Sequence, residues 1–493
     1  MTNSSPYITI ATTHVVHGLH PITVQDPFIL GPFDQLGHFA TPVSAVWIYE
    51  SSSNNLIPLK RLHKAISRLL DYYPHLTGRL HIDPDTDVRT MTRLGSGIHL
   101  LEAHYDVPLQ SFARDSSTGP EFSIFDFPRY GNALLAPWDM SLDGAQRDPV
   151  LKVQRTQFAC GAVAIGMTLS HVVSGAGGFL HLYQDLAEIY RAIGLEAAGG
   201  EINLASPPHL EPFMVSQMMH MDSDERERAL SDRPGGYFLR DEEPAPEPEP
   251  ESEPEVGTNF PRELESTDDP YLGRTLRFSP SALAILKGQA VDPENSSGRV
   301  SSFCALSAHL FQHIHRARLA NAELYSDAEK AALSNPIFGT SVDFAPHLGL
   351  PPRSFGNTVI TPVIKLESTK LADAPLWEIA ELINSRVRHV SAEETQKLGK
   401  WIAAQPKKSQ IHVGFQPTPA AFIATGWHRF PLYTGAELDG PPVFASPVPM
   451  EALFDGMVLF VEPKTKDWGL DAIAFMRRST WGVLDRDEEF ITT

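Results

Sequence analysis

The 493-residue chain is poor in cysteine, in basic charge and in uninterrupted apolar sequence. Cys160 and Cys304 are its two cysteines, too few to staple a chain of this length, and they predict a reducing, cytoplasmic setting. No run approaches the roughly 18 apolar residues that a membrane helix needs. The opening MTNSSPYITIATTH has neither the basic start nor the apolar run of a secretory signal. Lys and Arg number 40 against 60 Asp and Glu, for a net charge of −20. That balance excludes nucleic-acid binding by bulk charge. An anionic small molecule remains acceptable, because a local basic patch outweighs a mildly acidic average.

What is present is globular. Hydrophobic residues make up 42% and charged residues 20%, and the length suits two domains rather than one. Residues 241–255, DEEPAPEPEPESEPE, hold eight acids and five prolines; without them the net charge is −12. Alternating Glu and Pro cannot bury apolar surface, so the tract reads as a disordered insert in a crossover spanning 216–270. It separates an N-terminal domain, 1–215, from a C-terminal domain, 271–493. Helical periodicity marks residues 59–73, where Leu62, Ile66, Leu69 and Leu70 recur and Pro74 stops the helix. Residues 162–170 read as a buried strand, followed by a glycine turn and a second helix from Phe179. Residues 301–318 read as a helix, 357–364 as a strand, MVLFVEP as a strand, and DAIAFMRRSTWGVLDRDEEF as a closing helix. Helices and strands mixed in both halves predict an α/β fold.

His171 stands where the apolar strand meets the glycine turn, in LSHVVSGAGGF. A strand end fixes a side chain and a turn leaves room before it, so this imidazole is the candidate catalytic group. A buried structural histidine is the plainer reading of the same position. The GAGG segment is no dinucleotide turn, since Leu180 occupies the third glycine's place, and Ser174 lacks the glycine that a nucleophile elbow needs two residues earlier. His309, His313 and His315 share a predicted helix, but no neighbouring glutamate completes a metalloprotease pattern, and no metal site is predicted.

Several segments in order resemble the BAHD acyltransferases. GPFDQ (31–35) is similar to the family's TPLDQ, and YYPHLTGRL (72–80) to FYPLAGRL. FACGAVAIGMTLSHVVSGAG carries the strand and histidine of the HxxxD motif, SSFCALSAHLFQHIHRAR resembles STFDALxALxWR, and VDFAPHLGLPPRSFGNTV resembles the VDxRxRLxPPLPxxYFGN stretch. GWHRFPLY precedes the position of DFGWG. The resemblance implies two similar domains of the chloramphenicol-acetyltransferase type with a channel between them. His171 would lie in that channel, with acyl-CoA as co-substrate rather than a bound cofactor, a small-molecule acceptor, and a monomeric protein. It also implies that Thr425, Trp427 and Ser174 border the oxyanion or substrate channel, that Gly175, Gly177 and Gly178 shape the loop, and that Asp343, Asn357 and Gly440 are structural.

The chain departs from the pattern at two places. HxxxD reads His171-Val-Val-Ser-Gly175, and the family's D-x-R reads Asp343-Phe344-Ala345, so the aspartate and the arginine it pairs with in relatives are both absent. DFGWG reads Ala436-Glu437-Leu438-Asp439-Gly440. Three functions follow: acyl transfer from acyl-CoA to a hydroxyl or amine with His171 as general base; a diverged cyclase, condensation or dehydration enzyme using His171 without CoA; and a non-catalytic binding protein.

Overall fold

A computed structural model describes residues 8–36, 41–50, 55–115, 120–195, 202–239, 268–295, 299–415, 417–449, 455–465 and 469–490. The acidic tract lies outside them. Two six-stranded mixed sheets form the frame. The first runs, in spatial order, through Thr9–Val16, Ile98–Tyr105, Leu151–Phe158, Val163–Ser170, Pro42–Tyr49 and Phe444–Pro447. The second runs through Tyr271–Phe278, Leu470–Arg477, Met457–Val461, Ala421–Gly426, Ile337–Thr340 and Val363–Lys365.

Each sheet carries helices against it. Helix Leu59–Tyr72 buries Leu62, Ile66, Leu69 and Leu70, and Pro74 ends it by opening a 3-10 turn. With helix Ala176–Leu195 it packs on the first sheet, around Trp47, Tyr183, Ile165 and Leu169. Helix Ser302–Ala320 begins where the Ser301 hydroxyl accepts the Cys304 N–H. It packs on the second sheet with helix Leu376–Arg388.

Four expectations change. The first part of the expected closing helix, 471–477, lies instead in the strand Leu470–Arg477 between Tyr271–Phe278 and Met457–Val461, and only Arg478–Leu484 is helical. A strand covered on both faces and a buried helix present the same unbroken apolar run. Residues 357–364 do not form one strand. Val359–Ile360 pairs with Val342–Asp343, and after Pro362, Val363–Lys365 joins the second sheet. The glycine turn is instead the first turn of helix Ala176–Leu195. Finally, Phe444–Pro447 leaves the C-terminal half and pairs antiparallel with Pro42–Tyr49, so a cut at residue 271 does not divide the sheets.

Candidate active site

The strand Val163–Ser170 is buried along its whole length and delivers His171 at its end. The chain turns at once. The His171 N–H donates to the Thr41 carbonyl at 3.1 Å, and the Val173 N–H donates to the Ser170 carbonyl at 3.1 Å. The His171 backbone and the Asn357 side chain near the ring favour its charged form. Burial works the other way and prevails, setting the imidazole pKa below the usual 6.5.

Asn357 is the pin of this loop. Its Nδ2 donates to the His171 carbonyl at 2.8 Å, to the Val172 carbonyl at 3.1 Å and to Asp34 Oδ1 at 3.0 Å. All three partners are acceptors, which settles which end of the amide faces them. Its main-chain N–H also donates to Asp34 Oδ1, at 2.8 Å, and the Gly31 N–H donates to Asp34 Oδ2 at 2.9 Å. Asp34 is itself only 3% exposed. Burial raises its carboxyl pKa to about 6, against the Asn357, Gly31 and Arg89 contacts that favour the anion. Asp34 belongs to the N-terminal half and Asn357 to the C-terminal half, so the loop of His171 is braced across the seam.

Helix Ala176–Leu195 continues from this loop between two arms of the C-terminal half. One arm is residues 353–357. Phe355 lies 3.2 Å from where a Cβ on Gly178 would stand, and Arg353 reaches Asp185. The other arm is 427–439. The Phe430 ring lies 2.9 Å from a Cβ built on Gly177, and Trp427 sets its ring edge-on to Phe179 with centroids 6.3 Å apart. Further along, Gln184 Nε2 donates to the Pro431 carbonyl, and Asp439 accepts from Arg61, from the Tyr190 hydroxyl and from the Ile57 N–H.

The sequence-derived residues distribute as follows. Thr425 is half-buried near the end of its strand, opposite Leu459, and Trp427 opens the arm beside Phe179. Ser174 is fully buried; its hydroxyl makes one long contact, 3.4 Å, to the Gly175 carbonyl. Gly177 admits the Phe430 ring, and Gly178 admits first the Ser174 hydroxyl and then the Phe355 ring, rather than leaving open space. Gly175 has room: the nearest atom to a Cβ there is Asn357 Oδ1 at 3.6 Å. Asp343 Oδ1 accepts from the Ala345 N–H and the Thr358 hydroxyl, closing the base of the 343–358 loop. The Gly440 carbonyl accepts the Leu438 N–H. His309, His313 and His315 lie in the buried helix Ser302–Ala320, where His313 pairs with Asp487 and His315 with Ser368. Sequence reasoning missed Arg353, Asp185 and Asp439. Beside Asn357 a cavity of about 180 Å³ is lined by His209, Phe213, Met214, Leu350 and Phe355.

Comparison with known proteins gives one answer throughout. The Transferase family model matches residues 7–490. Hydroxycinnamoyltransferase 2 of Oryza sativa subsp. japonica is 24% identical over 79% of this chain and 77% of its own length. Acyltransferase GLAUCE of Arabidopsis thaliana is 22% identical over 75% and 70%. Vinorine synthase has a similar fold, with a TM-score of 0.64 at 15% identity over 97% of this chain and 96% of its own. F. graminearum TRI101, complexed with coenzyme A and deoxynivalenol, also gives 0.64, at 17% identity over 94% and 98%. The seam-braced histidine thus sits in a two-domain acyltransferase, and the chain belongs to the Transferase family of BAHD enzymes.

Proposed function

We propose that the protein transfers an acyl group from an acyl-CoA thioester to a hydroxyl or amine of a small specialised metabolite, with His171 as general base. The observation that carries this reading is the placement of His171 at the end of the buried strand Val163–Ser170, in a loop that Asn357 pins through the His171 and Val172 carbonyls. Burial lowers the His171 pKa below the usual 6.5, so the imidazole is neutral at neutral pH, and Nε2 is the proposed proton acceptor. The acceptor O–H or N–H gives its proton to Nε2 while its oxygen or nitrogen bonds to the thioester carbon. The carbonyl electron pair moves onto oxygen, and the Thr425 hydroxyl is the proposed donor to that oxyanion. On collapse the C–S bond breaks, and protonated His171 returns its proton to sulfur, releasing free CoA. A positioned base of this kind contributes about 10²–10⁴-fold. Trp427, set edge-on to Phe179, would hold the Thr425 segment against the histidine loop. The cavity beside Asn357 offers an organic acceptor a wall that mixes apolar Phe213, Leu350 and Phe355 with polar His209 and Glu211. The protein acts as a cytoplasmic monomer on these substrates.

The test is thiol release from short and aromatic acyl-CoAs in the presence of candidate alcohols and amines. His171→Ala should abolish it while leaving thermal unfolding nearly unchanged. Turnover surviving in that variant would refute the assigned base. The altered 436–440 segment favours a second reading, a cyclase or condensation enzyme that uses His171 without CoA. Calorimetric titration with acyl-CoA decides between them, since only the first requires binding.

A further inference from the structure

We propose that Arg353 and Asp185 are positioning residues for His171: their ion pair locks the arm that carries Asn357 onto the helix that follows the histidine. The inference deepens the acyl-transfer reading and rests on it only for its activity readout. Arg353 Nη2 donates to both carboxylate oxygens of Asp185, at 2.6 and 2.5 Å, and the Tyr73 hydroxyl donates to Oδ2 at 2.7 Å. The Asp185 side chain is 1% exposed and that of Arg353 18%. The pair spans 168 positions of sequence and joins the two halves.

Arg353 stands in the left-handed region at φ +65°, a conformation a non-glycine residue keeps only when its surroundings enforce it. The enforcement is visible. The Arg353 carbonyl accepts the His209 N–H, and the Phe355 N–H donates to the His209 carbonyl, so the segment around His209 clamps the arm on one side while Asp185 holds it on another. Two residues further, Phe355 packs at Gly178, and two further again Asn357 seizes the His171 and Val172 carbonyls. Arg353 is therefore the anchor, Phe355 the spacer and Asn357 the pin of one short strap. The other ionisable groups close to the pair are His181, Glu188 and Tyr73, with Asp343 acting on His181. Gly175 and Ala345 carry no charge, and the Arg353–Asp185 pair crosses the seam on the helix that follows the loop.

The test uses the full-length protein labelled with ¹⁵N-histidine, the His171 signals being assigned by their loss in His171→Gln. The variants are Arg353→Ala, Arg353→Lys and the isosteric Asp185→Asn, which keeps the Tyr73 contact. In the wild type, His171 should show one dominant tautomer, since its loop is held in one position. In Arg353→Ala and Asp185→Asn it should become a mixture and its titration should move toward an ordinary imidazole, while His313, paired with Asp487, stays put. Arg353→Lys should restore most of the wild-type signal, because one nitrogen already makes both contacts. With a turned-over acyl-CoA, kcat should fall about 10–100-fold and KM values should change little, as for a misplaced rather than a missing base. Unmoved His171 signals in folded Asp185→Asn and Arg353→Ala would overturn the inference. A kcat unchanged in both would overturn it too, while leaving acyl transfer intact. If no acyl-CoA is turned over, the nitrogen signals still decide the strap, and the functional reading fails separately.

Discussion

Replacing Asn357 by aspartate changes one group, an amide NH₂ for an oxygen, at a point where every neighbour is an acceptor. The wild-type amide serves the His171 and Val172 carbonyls and Asp34. With only two hydrogens to share, it makes one charge-assisted bond, about 1.5–3 kcal/mol, and one ordinary bond, about 1 kcal/mol. Asn357→Ala should therefore destabilise by about 2–4 kcal/mol. Asn357→Asp should cost more than that at pH 8, because a second carboxylate would face Asp34 and two carbonyls. The order should reverse in acid. Asp34 has its folded pKa raised from 3.8 to about 6, so its stabilising contribution is fully present below about pH 4 and is lost as pH rises through about 6; the amount is about 3 kcal/mol. Near pH 5 the variant's two carboxyls can share a proton, and Asn357→Asp should become more stable than Asn357→Ala. Urea denaturation at pH 5 and pH 8 measures both differences. If Asn357→Asp matches the wild type at pH 8, or its deficit does not depend on pH, then Asp34 and Asn357 do not meet as described.

The glycines of the helix's first turn should separate by contact. Gly177→Ala, pressed against Phe430, should lower stability by about 1–3 kcal/mol in denaturation, whereas Gly175→Ala, with its nearest neighbour at 3.6 Å, should cost less than about 1. Gly175→Asp would set a carboxylate beside Asn357 Oδ1 and should destabilise by a few kcal/mol, and Ala345→Arg, alone, by a similar amount; the double variant should recover part of the loss, and zero coupling would mean that the two positions do not face each other. Deleting residues 241–255 should leave thermal unfolding and activity nearly unchanged, and a large loss of either would show that the tract packs or binds.

What the sequence disclosed was local. The strand ending at His171 announced itself by an apolar run closed by glycines, and helix 59–72 by periodicity and by Pro74 at its end. Leu470–Arg477 defeated the same reasoning, because a strand hidden on both faces carries no alternation. Asp34 and Asn357 were visible as motif residues, but their joint task was not. They are 323 positions apart, and no spacing encodes such a meeting. The signal that could have exposed them is their polarity inside apolar surroundings, since buried polar groups must find partners. Arg353 and Asp185 offered even less: one stands in a matched stretch and the other on an expected helix, but nothing in either segment pairs them across 168 positions.

The degraded motifs look different once these contacts are in view. The aspartate after the histidine and the arginine of D-x-R are missing together at Gly175 and Ala345, and joint loss is the inexpensive route: removing one partner strands a buried charge at about 3–5 kcal/mol, whereas removing both can be neutral. Neither loss leaves the histidine loop unsupported. On one side of helix Ala176–Leu195, Asp185 takes Arg353; on the other, Asp439, standing inside the altered 436–440 segment, takes Arg61 and the Tyr190 hydroxyl. Both contacts tie the C-terminal half to the N-terminal half, and both bear on the helix that begins five residues after His171. A missing signature is then weak grounds for a missing activity, because the helix is still held between the two arms and Asn357 still holds the histidine's carbonyl.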